Sequence, residues 1–97
     1  MTELKANFLT LVRQDTRMLE RISMDEEPLG MANQVRFRRK MLDTWLSLEF
    51  LPNGKILIMC YRAMEPLEYV NTYNVQDAYR QVRYFSNSGK LKNAEAL

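Results

Sequence analysis

Five consecutive residues, Arg36-Phe37-Arg38-Arg39-Lys40, place four cations around one aromatic ring, the densest charge feature of the chain. Guanidinium and ammonium groups neutralise phosphates and a ring among them can stack on a base, so the segment suits nucleic acid. Arginine beside an aromatic is also the chemistry from which protein interfaces are anchored. The competing structural reading has these cations solvating one side of a helix whose apolar side packs inward. A second candidate is Glu65-Pro66-Leu67, inside the link Arg62-Ala63-Met64-Glu65-Pro66-Leu67. This link is longer than a tight hairpin needs and is expected to protrude, offering its proline to a partner or making an ordinary trans turn.

The remaining reactive groups point away from catalysis. Glu49, Glu65, Glu68 and Asp77 are scattered, with no motif that brings two carboxylates together as acid and base. Asp25-Glu26-Glu27 offers three acids without the further spaced oxygen ligands of a hard-cation site, and reads as a polar loop. The chain has no histidine and one cysteine, so the usual zinc, haem and iron-sulfur ligand sets and an intrachain disulfide are missing. Cys60 lies within Ile56-Leu57-Ile58-Met59-Cys60-Tyr61, where a thiol packs as a small hydrophobe. Gly30, Gly54 and Gly89 are too far apart for a phosphate-cradling loop. A protein that is not an enzyme, with no cofactor and no metal, is expected.

The elements that must carry these residues are read from hydrophobic spacing. Leu4, Phe8, Leu11, Val12, Met18, Leu19 and Ile22 recur at three and four, predicting an N-terminal helix capped by Thr2, with Arg13, Arg17 and Arg21 on its other side. Residues 32–40 are ambiguous: Met31, Val35, Met41, Leu42 and Trp45 suit a helical face, while Val35 and Phe37 alternate with Arg36 and Arg38 like a strand. The helix is the favoured reading. Leu46, Leu48 and Phe50, then Ile56, Ile58 and Cys60, alternate about Pro52-Asn53-Gly54-Lys55, which predicts a hairpin. Residues 67–73 supply a third strand, so the sheet is expected to be a three-stranded antiparallel meander. Asn74 reads as the N-cap of a C-terminal helix whose stripe of Val75, Ala78, Tyr79, Val82 and Phe85 covers the sheet. The fold class is therefore α+β, with N-terminal helices, the meander and a C-terminal helix packed on it.

At 97 residues, 46% hydrophobic and 27% charged, the chain has ordinary globular composition. A single domain over 1–89 and a flexible C-terminal tail over 90–97 are expected. The net charge of +2 is below that of a dedicated duplex-binding protein. No apolar run approaches the roughly 20 residues needed to span a bilayer, and Glu3 and Lys5 interrupt the start, so a cytoplasmic protein without a membrane partner is expected.

Seven methionines and five tyrosines exceed what one small core can bury with every hydroxyl satisfied. Exposed Tyr, Met and Arg form protein interfaces. In size and general cast the chain resembles the small early proteins with which bacteriophages inhibit or redirect host enzymes, including the lambdoid phage proteins that modify the host RecBCD recombination nuclease. The likeness implies a bacterial host cytoplasm, docking on a larger host DNA-processing enzyme and a changed activity of that enzyme. The segments NQVRFRRKM and RAMEPLEYV carry no motif of that class, so no residue role is transferred. Protein docking through 36–40 and 65–67 is the expected function. Direct nucleic-acid binding through Arg36, Arg38, Arg39 and Lys40 is the alternative, and a homodimer built on open sheet edges is a third reading.

Overall fold

The structure, a computed structural model, describes residues 2–97. The chain runs α1 (Glu3–Arg13), α2 (Thr16–Arg21), β1 (Ile22–Asp25), a single 3-10 turn at Pro28–Gly30, β2 (Gln34–Arg39), β3 (Thr44–Phe50), β4 (Ile56–Arg62), β5 (Glu65–Thr72), α3 (Val75–Ser88) and β6 (Glu95–Ala96). The class is α+β. The sheet, however, has six strands among the described residues, ordered β1-β2-β3-β4-β5-β6 with every neighbouring pair antiparallel. This corrects the three-stranded meander: the expected strands are β3 to β5, with two more on one side and a short one on the other.

The largest correction falls on residues 32–40, expected as a helix and found as β2. Period two prevails because β3 needs a partner for its apolar face: Val35 pairs with Leu48 and Phe37 with Leu46, and all four are fully buried. A helix would have scattered these residues around its axis and left one edge of β3 unpaired. The N-terminal helix is also broken. Asp15 accepts the Met18 N–H (3.1 Å) and caps a second short helix, so the three-and-four spacing spans two helices and ends in β1 at Ile22. Residues 90–97, read as a mobile tail, return to the sheet: Leu91 is buried, its N–H donates to the Glu68 carboxylate (2.6 Å), and Glu95 and Ala96 pair with Tyr69 and Glu68.

Local signals account for the helix ends. The Thr2 hydroxyl accepts the Lys5 N–H, Asn74 accepts both Gln76 and Asp77 N–H, and Gly89 closes α3 in the left-handed region at φ 74. The helices share one face of the sheet. Val35, Phe37, Leu46, Leu48, Phe50, Ile56, Ile58 and Cys60 form its inner surface against Phe8, Leu9 and Val12 of α1 and Ala78, Val82 and Phe85 of α3. Phe8 sits over the sheet with its ring 6.0 Å from that of Phe37 and 5.5 Å from that of Phe50.

One buried residue is a cation. Lys5 of α1 is fully enclosed, and its ammonium donates to the Glu26 C=O (2.5 Å) and the Ala32 C=O (2.8 Å). These bonds tie both ends of the 26–32 loop to α1. Burying an ammonium requires such acceptors. Arg13 adds an ion pair to Glu26 from the same helix.

Candidate functional site on the open face of the sheet

Strand alternation sends every second side chain of β2 to β5 away from the helices, onto a face that no helix among the described residues covers. One row of directly opposed residues crosses five strands: Ser23, Arg38, Trp45, Tyr61 and Pro66. The next row holds Asp25, Arg36, Ser47, Met59 and Tyr69. Trp45 and Tyr61 stack with ring centroids 3.9 Å apart and planes 5° from parallel. The Arg36 guanidinium carbon lies 5.0 Å from the indole centroid. Tyr61 comes from β4 and Arg36 from β2, so they flank Trp45 on its two sides and make a three-layer sandwich. The indole N–H donates to the Ala63 C=O (2.7 Å), which locks the ring in place.

A groove of about 760 Å³ runs beside this sandwich, floored by Arg36, Arg38 and Trp45 and bounded by Ser23 and Asp25 of β1. Leu29 and Met64, which also line it, are 83% and 89% exposed. Leu29 has φ 55 and Ala63, next to Met64, has φ 52, both in the left-handed region that disfavours residues with a side chain. The Ala63 turn is held by its N–H to the Asp43 C=O (2.8 Å), and the Leu29 turn belongs to the loop clamped by Lys5.

The sheet splits the basic segment that the sequence presents as one cluster. Arg36 and Arg38 reach the open face, while Phe37 is buried in the core. Arg39 takes the inner-face parity at the end of β2, its guanidinium beside Gly89. Lys40 sits in the β2–β3 turn, its N–H donating to the Arg21 C=O (3.1 Å). Of the second candidate, Pro66 stands opposite Tyr61 on the open face, Glu65 opposite Arg62 at the strand end, and the Leu67 C=O accepts the Leu97 N–H (3.1 Å). The structure thus places Arg36, Arg38 and Pro66 on one face, Pro66 three strands from the two arginines, and disperses the rest. Glu68, one of the scattered carboxylates, shares the side of Cys60.

Trp45, Tyr61, Leu29 and Met64 were not singled out by the sequence. The first two had a usable signal, because the hairpin turn at 52–55 sets a register that pairs Trp45 with Tyr61. Met64 lies in the link expected to protrude, whereas Leu29 had no signal, since its exposure depends on how the 26–32 loop is held. Elsewhere, titrating groups have structural partners. Burial, then the Glu68 charge, pushes the Cys60 thiol up to about 11, which leaves it protonated and inert. The Tyr79 hydroxyl donates to Asp15 (2.6 Å), holding that carboxyl below its ordinary value while the phenol is raised.

Among the described residues no cluster of three His, Cys, Asp or Glu could hold a metal ion, and no helix is long and apolar enough to cross a membrane. Compared with known protein families, curated proteins and solved structures, the chain matches none.

Proposed function

We propose that this chain is a non-catalytic docking module that binds a larger protein through the open face of its sheet. The observation that carries this reading is the Arg36–Trp45–Tyr61 sandwich standing on a face without a helix layer. Trp, Tyr and Arg are the residues that most often dominate binding energy. Here the three are already stacked and the indole is hydrogen-bonded to the Ala63 C=O, so association costs little further side-chain ordering. Regulation of the bound partner is steric or allosteric, and a host DNA-processing enzyme such as RecBCD is the first partner to assay.

Arg36 and Arg38 on one strand favour nucleic acid as the second reading. Two features weigh against it. Both faces of Trp45 are covered, leaving no free indole face for a base, and Phe37 and Arg39 point elsewhere. The test is capture from nuclease-treated bacterial lysate, and on purified RecBCD, by the wild-type chain and by a Trp45→Ala/Tyr61→Ala variant of confirmed fold. Protein retained by the wild type, lost by the variant and little affected by salt supports docking. Equal retention by both chains, or no protein retained together with salt-sensitive binding of plain DNA, overturns it.

A further inference from the structure

Two cations on the open face have no counter-charge. Asp25 stands directly opposite Arg36 across β1 and β2, yet the two form no ion pair: the Arg36 guanidinium lies over the indole of Trp45, and Asp25 accepts the Glu27 N–H (3.1 Å). Neither Arg36 nor Arg38 has a carboxylate within ion-pair distance among the described residues, and the Arg36 Nε finds no acceptor. A guanidinium stacked on a ring keeps its N–H donors in its own plane, so stacking orders Arg36 without using its hydrogen-bonding edge. A fixed and unsatisfied fork therefore stands above β2 and β3, on the Trp45 side of the groove and turned away from Asp25.

The surface around that fork is apolar where it is most exposed, at Leu29 and Met64. The acids of the groove are Asp25 on β1 and Asp43 in the β2–β3 turn. An occupant with acids along its length would be repelled by both, whereas one acid set among apolar side chains above β2 and β3 meets the arginines. The groove reaches from β1 across β2 and β3 to the turn at Ala63 and Met64. At the usual strand spacing that is roughly 10–14 Å, the breadth of a helix with its side chains, about 10–12 Å.

Backbone chemistry selects the same form. The strands under the groove spend their N–H and C=O groups in the plane of the sheet, so the floor presents side chains alone. A segment laid across it must satisfy its own backbone, as a helix does. The inner face of this sheet already carries α1 and α3 in that manner.

We infer that the groove seats one amphipathic helix of a partner protein, with a single acidic residue at the centre of its apolar side. The inference rests on the open face being a docking surface and names the form that the partner takes. The carboxylate of the helix meets Arg36 and Arg38 beside the Trp45 ring, and its flanking apolar residues meet Leu29 and Met64.

Trp45 is the only tryptophan, so its fluorescence reads occupancy of the groove directly. The probes are blocked alanine-based helical peptides with one central glutamate and leucines three and four residues to either side of it, which share its face. A second peptide has lysine for the glutamate, and a third is the glutamate peptide broken by two prolines. The glutamate helix is expected to shift Trp45 emission, and the lysine helix and the proline-broken peptide each to bind at least about tenfold more weakly. Arg36→Gln/Arg38→Gln should weaken the glutamate helix by a similar factor. If that variant does not fold, the lysine helix tests the same contact on the wild-type chain.

Equal binding of the glutamate and lysine helices, or no response to any peptide at millimolar concentration, overturns the inference. Undiminished binding of the proline-broken peptide overturns the helical form. A dimer in light scattering that Arg36→Gln/Arg38→Gln dissociates also overturns it, because the groove then belongs to a second copy. The two readings fail separately: protein capture that depends on Trp45 and Tyr61 without any peptide response overturns the helix alone, whereas a peptide response with capture indifferent to those residues overturns docking through the sandwich.

Discussion

The two faces of the sheet are built from the same strands and differ by one residue in register, yet they hold opposite kinds of surface. The inner face is a continuous apolar layer, from Val35 and Phe37 through Leu48 and Phe50 to Ile58, sealed by α1 and α3. The outer face mixes Arg36, Arg38, Trp45, Glu49, Met59 and Tyr61, side chains that cover one another without a second layer. The inner face answers to packing alone, where any void or polar atom destabilises the fold. The outer face answers to geometry: its aromatic rings and guanidiniums are ordered by mutual stacking and by the Ala63 carbonyl, an arrangement folding does not require. The division gives stability to the inner side and leaves the outer side to the recognition proposed for it.

That contrast breaks if inner and outer substitutions cost the same. Phe37→Ala empties a fully buried site between Phe8 and Leu46 and is expected to cost about 3–5 kcal/mol by urea denaturation. A domain of this size has only roughly 5–15 kcal/mol of stability, so this variant should unfold at a markedly lower urea concentration than the wild type. Lys5→Met keeps the volume but leaves the Glu26 and Ala32 carbonyls without their donor, and is expected to cost about 2–3 kcal/mol. Faster amide exchange across 26–32 should accompany it. Unchanged stability and exchange would show that the loop, and with it Leu29, is held by something else.

On the outer face Trp45→Ala is expected to cost only about 1 kcal/mol of stability, the share of an aromatic pair and a partly exposed ring, while removing partner capture. A loss as large as that of Phe37→Ala would mean that the sandwich is part of the core and would erase the distinction. The smallest effect belongs to pH. The buried Cys60 thiol keeps its proton up to about 11, while an unfolded chain loses it near 9.0. Between those values the unfolded state binds fewer protons, so rising pH favours unfolding, and below them Cys60 contributes nothing. Stability of the wild type relative to Cys60→Ala should therefore fall from about pH 9 to 11. A flat difference over that window would place water against this part of the inner face.

Much of the fold was legible because its determinants are local. Asn74 with Asp77 marks the start of α3, Gly89 its end, and Pro52 to Lys55 the hairpin, each through backbone chemistry within a few residues. Val35 and Phe37 misled because the segment offers both periods, Val35 belonging to either, and the choice between them depended on pairing with Leu46 and Leu48, far from the segment in sequence. β1 and β6 are too short to show any period at all. The charge run 36–40 misled in another way. Residues adjacent in sequence face opposite sides of a strand, so a cluster on paper became two arginines on one surface and an aromatic in the core.

By itself, then, the sequence determined the α+β class, the Thr2 and Asn74 helix caps, the central hairpin and the absence of histidine chemistry, because these follow from residue types and near neighbours. Only the tertiary structure decided that the sheet has six strands, that Lys5 is buried, that Trp45 lies between Arg36 and Tyr61, and that the β1 edge stands open beside a groove. Those arrangements join residues far apart in the chain, and their free energy exists only once the strands between them have paired.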